Sequence, residues 1–565
     1  MAGAVDGRSG RSGGLDYDAI VIGTGVAGIY QLHRLKQAGY NVLALEAGEG
    51  VGGVWWWNRY PGARLDSESY SYAYSFSPEL LAEWNWSEHF ASQPELQRYF
   101  EHVVDRFDLR RHIRFGRLVT GAHYNAANGN WEVHTGQGEC FTCRFLIAAV
   151  GPLTSPTYPR IPGRESFAGD TFHTSRWPDG ESSFADKRVA VIGTGATGIQ
   201  VIQEAAKTAS QLYVFQRTPN YCAPLNNAPI GDEERASLKT RYPEIIARCR
   251  STNSWFLHDA DPRSVFELSE ADREAFLDAL YRAKGIGIWK ANFHDIAIDQ
   301  AANDIVSEFM HRKIRERVHD PEIAERLTPR TFGFGTRRVP LETGYYEVYN
   351  QPNVRLVDLT ETPFERITPT SIVTSSEEFE VDQIVYATGF DAVTGSFDRI
   401  DIAGIDGIRL KDKWADGPET FLGVHSAGFP NFFMPGGPLA SVGNFTPALE
   451  YSVDWIMDLL DFMADRGFAK VDVSPKAERE WTDFVREGQS HLLMGDVKSW
   501  FTGVNSNIDG RDKPRVILYV GSAKEYRERC SLVKASHYGE FSFAENANHP
   551  LENPDAICDR SDQAA

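Results

Sequence analysis

Tyr17-Asp-Ala-Ile-Val-Ile22 is an almost unbroken apolar run, and from Val26 to Gly39 the apolar positions shift to helical spacing. A second short run, Asn41-Val-Leu-Ala-Leu45, follows at once. The pattern predicts strand, helix, strand, with strands apolar enough to be covered on both faces of a parallel sheet. The same order restarts at Arg188-Val-Ala-Val-Ile192. Between the two units the pattern predicts a helix over Pro94 to Phe107 and strands over Ile113 to Val119, Trp131 to Thr135 and Phe141 to Val150. From Ala223 to about Arg330 it turns charged and helical, as in Asp272 to Ala283 and Asn303 to Val318. Strands return at Val354 to Val357, Ile372 to Thr374 and Gln383 to Tyr386. An amphipathic helix is expected over Pro447 to Asp465 and a late strand over Arg515 to Val520, and residues beyond Phe543 read as a loose tail.

Each strand–helix junction carries one glycine turn, Gly23-Thr-Gly25-Val-Ala-Gly28 and Gly193-Thr-Gly195-Ala-Thr-Gly198. In such a turn the first glycine allows the bend, the second lets backbone approach a pyrophosphate, and the third lets helix pack on strand. After the first turn, the second strand ends in Glu46, where an acid accepts hydrogen bonds from an adenosine ribose, as FAD or NAD requires. The equivalent position after the second turn is Gln216, followed by Arg217-Thr218. A guanidinium binds a 2′-phosphate that a carboxylate would repel, so the second nucleotide is expected to be NADP. Both turns on one chain point to two nucleotides held at once. The expected fold is α/β: two Rossmann-like dinucleotide-binding domains, with a helical insertion in the NADP domain. The boundaries read as 1–150 with 388–542 for FAD, 151–222 with 331–387 for NADP, 223–330 for the insertion, and 543–565 for the tail.

Composition narrows the class. A formal charge of −20 and a pI near 5.3 argue against a nucleic-acid partner, which needs a concentrated basic face. No long apolar run and no apolar leader are present, so neither a membrane partner nor a secretory signal is expected, and the location reads as cytoplasmic. Of the six cysteines only Cys140-Phe-Thr-Cys143 has redox or metal spacing. It falls on an expected strand, whereas a redox pair normally sits at a helix start that lowers its thiol pKa, so a structural role is favoured. No histidine spacing suggests a metal ligand set.

Between the turns lies Phe167-Ala-Gly169-Asp-Thr-Phe-His173-Thr-Ser-Arg-Trp177-Pro178. Its pattern F-x-G-x-x-x-H-x-x-x-W-P resembles the fingerprint of Baeyer–Villiger monooxygenases. The likeness extends over about residues 15 to 542. It includes Gly52-Gly53-Val54-Trp55, Arg59-Tyr60-Pro-Gly-Ala-Arg64-Leu-Asp66, Phe215 to Pro219, Phe334-Gly-Thr-Arg337-Arg338, Ala387-Thr-Gly-Phe390 and Ser499-Trp500. It is nearest the branch acting on phenylacetone, steroids and bulky cyclic or terpenoid ketones. Arg337 stands where the family usually has lysine, which keeps the charge but changes its geometry.

The resemblance implies an NADPH- and O2-dependent enzyme converting a ketone to an ester or lactone through a C4a-peroxyflavin and a tetrahedral intermediate, with sulfides as further substrates. No side chain activates O2, so the flavin must do so. FAD would be held by Gly23, Gly25, Val26, Ala27, Gly28, Glu46, Gly53, Val54, Trp55, Asp66, Tyr72 and Val119. NADP would be held by Gly193, Thr194, Gly195, Ala196, Thr197, Gln200, Arg217, Thr218, Arg337 and Trp500, the last closing over the nicotinamide. Arg338 would stabilise oxygen anions, Asp66 would hold Arg338, and His173 and Trp177 would link the moving domains. The partners would be the ketone and O2, with the protein a monomer or small homo-oligomer. Three rivals remain. A flavin N- or S-monooxygenase shares both turns, a disulfide reductase would use Cys140 and Cys143, and a flavin sensor would leave Arg217 and Arg338 without a task.

Overall fold

The computed structural model describes residues 14–178, 180, 183–546 and 551. Its largest sheet runs in the order Asp401–Ala403, Val119–Asn125, Asn130–Thr135, Cys140–Ala148, Tyr17–Ile22, Val42–Leu45, Ile113–Arg114, with Phe432–Phe433 paired beside Cys140–Ala148. Tyr17–Ile22 lies parallel to both of its neighbours. Its apolar run has a simple cause. Ala19 and Val21 point into one core with the helix Val26–Gln37, and Ile20 and Ile22 point into another with Val119, Trp131 and Phe432.

A second sheet repeats the plan: Val354–Asp358, Gln211–Gln216, Arg188–Ile192, Gln383–Tyr386 and Asp170–His173, every pairing parallel. Here Val189 and Val191 face the core under the helix Ala196–Thr208, while Ala190 and Ile192 face the opposite core with Phe215 and Ile372. Ser371–Thr374, expected as a strand, belongs to a separate small antiparallel sheet with Phe364–Ile367 and Glu378–Glu380.

Residues 223–330 are largely helical, with Asp232–Ser251, Glu270–Arg282 and Gln300–Arg317 as the longest helices. They bury Val265, Leu277, Phe293 and Phe309 in a core shared with Phe90, Phe334 and Leu341 from outside the insertion. Ser269 and Asp299 cap the second and third of these helices by accepting a backbone N–H. The helix Phe445–Asp465 returns the chain to the first sheet, where Tyr30 donates to the Asp454 carboxylate at 2.7 Å.

Three expectations are corrected. The stretch Ile113 to Val119 is not one strand: Gly116, with φ +62°, turns the chain between Ile113–Arg114 and Val119–Asn125. Arg515 to Val520 forms no ladder. Its backbone is shared between two loops, through Arg515 N–H to Thr502 O, Leu439 N–H to Ile517 O, and a lone bridge between Ser441 and Tyr519. The tail does not begin at Phe543, because Phe541–Ala544 pairs antiparallel with Lys470–Val473 and buries Phe541 and Phe543. Most of the expected tail, residues 547–550 and 552–565, lies outside the described residues.

The helix Phe445–Asp465 also carries a buried acid, Glu450, which accepts from the backbone N–H and the hydroxyl of Ser75. Burial pushes its carboxyl up from the ordinary 4.5 to about 7, against the pull of those two donors. A raised folded pKa favours the protonated form. The fold therefore keeps its full stability below the unfolded pKa and loses it as pH rises through about 7, by up to ~3 kcal/mol. Glu450→Gln is expected to melt above the wild-type protein at about pH 8, the gain shrinking towards about pH 5. A melting difference that is the same at both pH values would remove this account.

Candidate active site

The two glycine turns have matching geometry. Gly23 and Gly193 have φ of +92° and +106°, open only to glycine without strain. A Cβ on Gly28 would come within 2.0 Å of Gly23 O, and one on Gly198 within 2.2 Å of Gly193 O. Each following helix starts after a glycine, Gly25 or Gly195, with no side-chain cap and no acid in its first turn. Their first N–H groups, on Val26, Ala27 and Gly28 and on Ala196, Thr197 and Gly198, are left for an outside acceptor, and the helix dipole favours an anion there. These cradles fit the pyrophosphates of two dinucleotides.

Around the first cradle, Glu46 is buried and accepts from Thr24 N–H and Thr24 Oγ1, both at 2.8 Å, and from Gly48 N–H at 2.8 Å. It is thus fastened to the turn it serves. Gly53, with φ +59°, approaches Gly25 so closely that a Cβ would meet Gly25 Cα at 2.8 Å. Val54 opens the short helix Val54–Trp57, in which Trp55 donates from Nε1 to Tyr72 Oη at 3.1 Å. Val119 is buried in the core that also holds Ile22 and Leu45.

Around the second cradle, Thr194 Oγ1 donates to Thr218 O at 3.2 Å, and Thr197 shares a hydroxyl bond with Thr174. Gln200 is engaged elsewhere: its side-chain oxygen accepts from Tyr60 Oη at 2.7 Å and its amide donates to Arg64 O at 3.2 Å, tying this helix to the Arg59–Asp66 run. Arg217 is exposed and Arg337 half-buried on Phe332, 4.1 Å from its ring centroid. Burial, then the charge of Arg217, push the Arg337 guanidinium down to about 10. Among the described residues no carboxylate pairs with either. Two neighbouring cations without an anion fit a 2′-phosphate.

Arg338 and Asp66, 272 positions apart, meet at 2.6 Å between Nη2 and Oδ2. The insertion aims this arginine. Asn303 and Ser307 on the helix Gln300–Arg317 hold the backbone O and N–H of Phe334 at 2.9 Å each, and Asn220 holds Arg338 O at 3.3 Å. Asp66 is 8 % exposed and the Arg338 side chain 34 %, so its other N–H groups stay accessible.

The segment after Ser499 packs beside the insertion, where Phe501 stacks on Trp289. Ser499 caps the turn Trp500–Thr502, and Trp500 packs half-buried against Phe501, ring centroids 4.3 Å apart. Further along, Asn505 donates to Thr157 Oγ1 and Phe390 O, Ser506 meets Arg217, and Arg511 pairs with Asp398 at 2.9 Å. The loop is thereby fastened to Arg217 after the second glycine turn and to the connection between the sheets. Nothing in the local pattern around Asn505, Ser506 or Arg511 marked them, because their partners lie far away in the chain.

His173 ends the edge strand Asp170–His173, buried between Tyr158 and Phe390, and accepts from Ser175 N–H through Nδ1. Burial, then Arg176, push its pKa down to about 4, so the imidazole is neutral near pH 7. Trp177 packs between Phe172 and Phe184. Cys140 and Cys143 lie on the strand Cys140–Ala148, one exposed and one buried. An odd separation on a strand sends the two thiols to opposite faces, and burial pushes both pKa values up. Replacing both by serine is expected to leave NADPH turnover within about twofold; loss of turnover would revive the reductase reading.

Comparison with known proteins agrees with this geometry. Residues 18–231 match the flavin-binding monooxygenase-like family. The chain is 46 % identical over 535 residues to 2-oxo-Delta(3)-4,5,5-trimethylcyclopentenylacetyl-CoA monooxygenase of Pseudomonas putida, covering 93 % of this chain and 98 % of that protein. It is 39 % identical over 528 residues to a Baeyer-Villiger monooxygenase of Pseudooceanicola batsensis, covering 93 % and 96 %. A crystal structure of OTEMO in complex with FAD and NADP superposes with a TM-score of 0.90 at 46 % identity, covering 94 % of this chain and all of that one. With two nucleotide cradles, the Arg338–Asp66 pair and relatives similar over nearly their whole length, this chain belongs to the Baeyer–Villiger monooxygenases, NADPH-dependent flavoproteins that use FAD.

Proposed function

We propose that the protein inserts oxygen beside the carbonyl of a cyclic or bulky ketone, giving a lactone or ester, and that Arg338 and Asp66 are the residues that make the site competent. The observation carrying this reading is the 2.6 Å Arg338–Asp66 contact, made by a guanidinium that keeps open N–H groups beside a buried carboxylate. Reduced FAD, supplied with electrons by NADPH, provides the oxygen-activating chemistry when bound. Arg338 donates hydrogen bonds to the negative charge that develops on the ketone oxygen. Asp66 holds the guanidinium in place before charge develops, so no reorganisation is needed at the transition state. Arg217, Thr218 and Arg337 take the nucleotide phosphate, and the loop carrying Trp500 excludes water from the site. His173, buried, links the edge strand to Tyr158 and Phe390 and serves as a conformational residue.

The preference for a cyclic ketone is supported by the cyclopentenyl substrate in the name of the Pseudomonas relative; sulfides are further expected substrates. We place the enzyme in the cytoplasm as a monomer or small homo-oligomer, a location that suits the free thiols at the five cysteines among the described residues. The test is NADPH oxidation by the yellow holoenzyme with and without a ketone panel, products weighed by mass spectrometry for one added oxygen. Ketone-stimulated oxidation with lactone or ester product supports the reading. Slow unstimulated oxidation that yields no such product would overturn it and direct attention to amines and sulfides.

A further inference from the structure

Lys290 closes the short helix Gly287–Lys290 of the insertion, half-buried, its Nζ 3.8 Å from the ring centroid of Trp289 and 5.9 Å from that of Phe256. Two other half-buried lysines have acids: Lys313 meets Asp278 at 3.0 Å and Lys413 meets Glu478 at 2.7 Å. Lys290 has none among the described residues. The charge it feels is Arg338, another cation. Burial, then Arg338, push its pKa down to about 8, so near pH 7 the ammonium stays charged at a cost that an incoming anion would offset.

Its surroundings tie it to the three segments around the reacting centre. Trp289 packs on Gly335 in the loop that carries Arg338, where a Cβ would lie 3.0 Å from the indole Nε1. Trp289 also stacks on Phe501, next to Trp500, with centroids 6.5 Å apart. Phe256 follows Trp255, whose Nε1 donates to Ser441 Oγ at 3.0 Å in the glycine-rich loop that starts at Pro435.

We propose that Lys290 is a specificity residue that receives a carboxylate on the substrate, so that the enzyme favours ketones carrying an acidic group over their neutral counterparts. This rests on Arg338 marking the position of the ketone oxygen. The carboxylate takes a charge-assisted hydrogen bond from the ammonium in a partly water-excluded wall of aromatic rings. No bond is made or broken at Lys290.

The test compares a cyclohexanone bearing a ring carboxylate with the methyl ester of the same compound, using wild-type, Lys290→Met and Lys290→Arg holoenzymes. The wild type is expected to favour the acid. Lys290→Met should lower kcat/KM for the acid roughly tenfold or more, mainly through KM, with the neutral ester changed less than about twofold. Lys290→Arg should restore the preference. An acid-to-ester ratio unchanged by Lys290→Met would overturn the proposal. Equal losses on acid and ester would overturn it too and would place Lys290 on the reaction itself. If the wild type converts no ketone to lactone, the reaction reading falls and takes this inference with it; if it converts the ester without favouring the acid, only the role of Lys290 is lost.

Discussion

Arg338→Ala is expected to retain NADPH-driven flavin reduction while ester formation falls roughly a hundred- to a thousandfold, which corresponds to about 2.7 to 4 kcal/mol of lost transition-state stabilisation. The split follows from where the guanidinium acts. Electron delivery depends on the two nucleotide cradles, whose walls are Gly23–Gly28 and Gly193–Gly198, and among the described residues these make no hydrogen bond or ion pair with the Arg338 side chain, which bonds to Asp66. Oxygen insertion depends on a donor aimed at a developing anion, and Arg338 is held for that purpose by Asp66 at 2.6 Å. Anaerobic stopped-flow reduction and product analysis separate the two steps. Normal ester yield from the alanine variant would remove Arg338 from its assigned role. A variant that is no longer reduced by NADPH would show that the arginine serves the nucleotide instead.

Arg217→Ala is expected to weaken NADPH by roughly ten- to a hundredfold while leaving NADH nearly unchanged, the loss of one charged hydrogen-bond donor to phosphate. Arg337 limits the effect, since its guanidinium remains close enough for the two charges to be felt by one another. The double replacement Arg217→Ala, Arg337→Ala should therefore bring the two coenzymes close to parity. The check is the ratio of kcat/KM for NADPH and NADH in each variant. Equal losses on both coenzymes would mean that Arg217 supports the closed loop through Ser506 and does not read the 2′-phosphate.

Much of the site was legible because its motifs are local. A glycine turn needs only a few consecutive residues to create its φ values, its close backbone approach and its open helix N-terminus. The contrast between Glu46 and Arg217 likewise sits at a fixed distance after each turn. Edges read less well. The period of Ile113 to Val119 concealed the turn at Gly116, and the apolar run at Arg515 to Val520 suggested a strand although its neighbours are loops that offer only scattered acceptors. The pattern of a strand records burial, and burial does not require a ladder.

The chain by itself determined two nucleotide folds and the family, and it pointed to a 2′-phosphate at the second fold, because strand periodicity, turn glycines and one charge substitution are properties of short segments. Tertiary structure alone decided which residues meet. It joined Arg338 to Asp66, engaged Gln200 with Tyr60 and Arg64, set Ser506 on Arg217, and left Lys290 within the field of Arg338 with no acid of its own among the described residues. Those contacts unite segments up to hundreds of residues apart, and the free energy of a charge depends on its neighbours and on water, neither of which a local pattern contains.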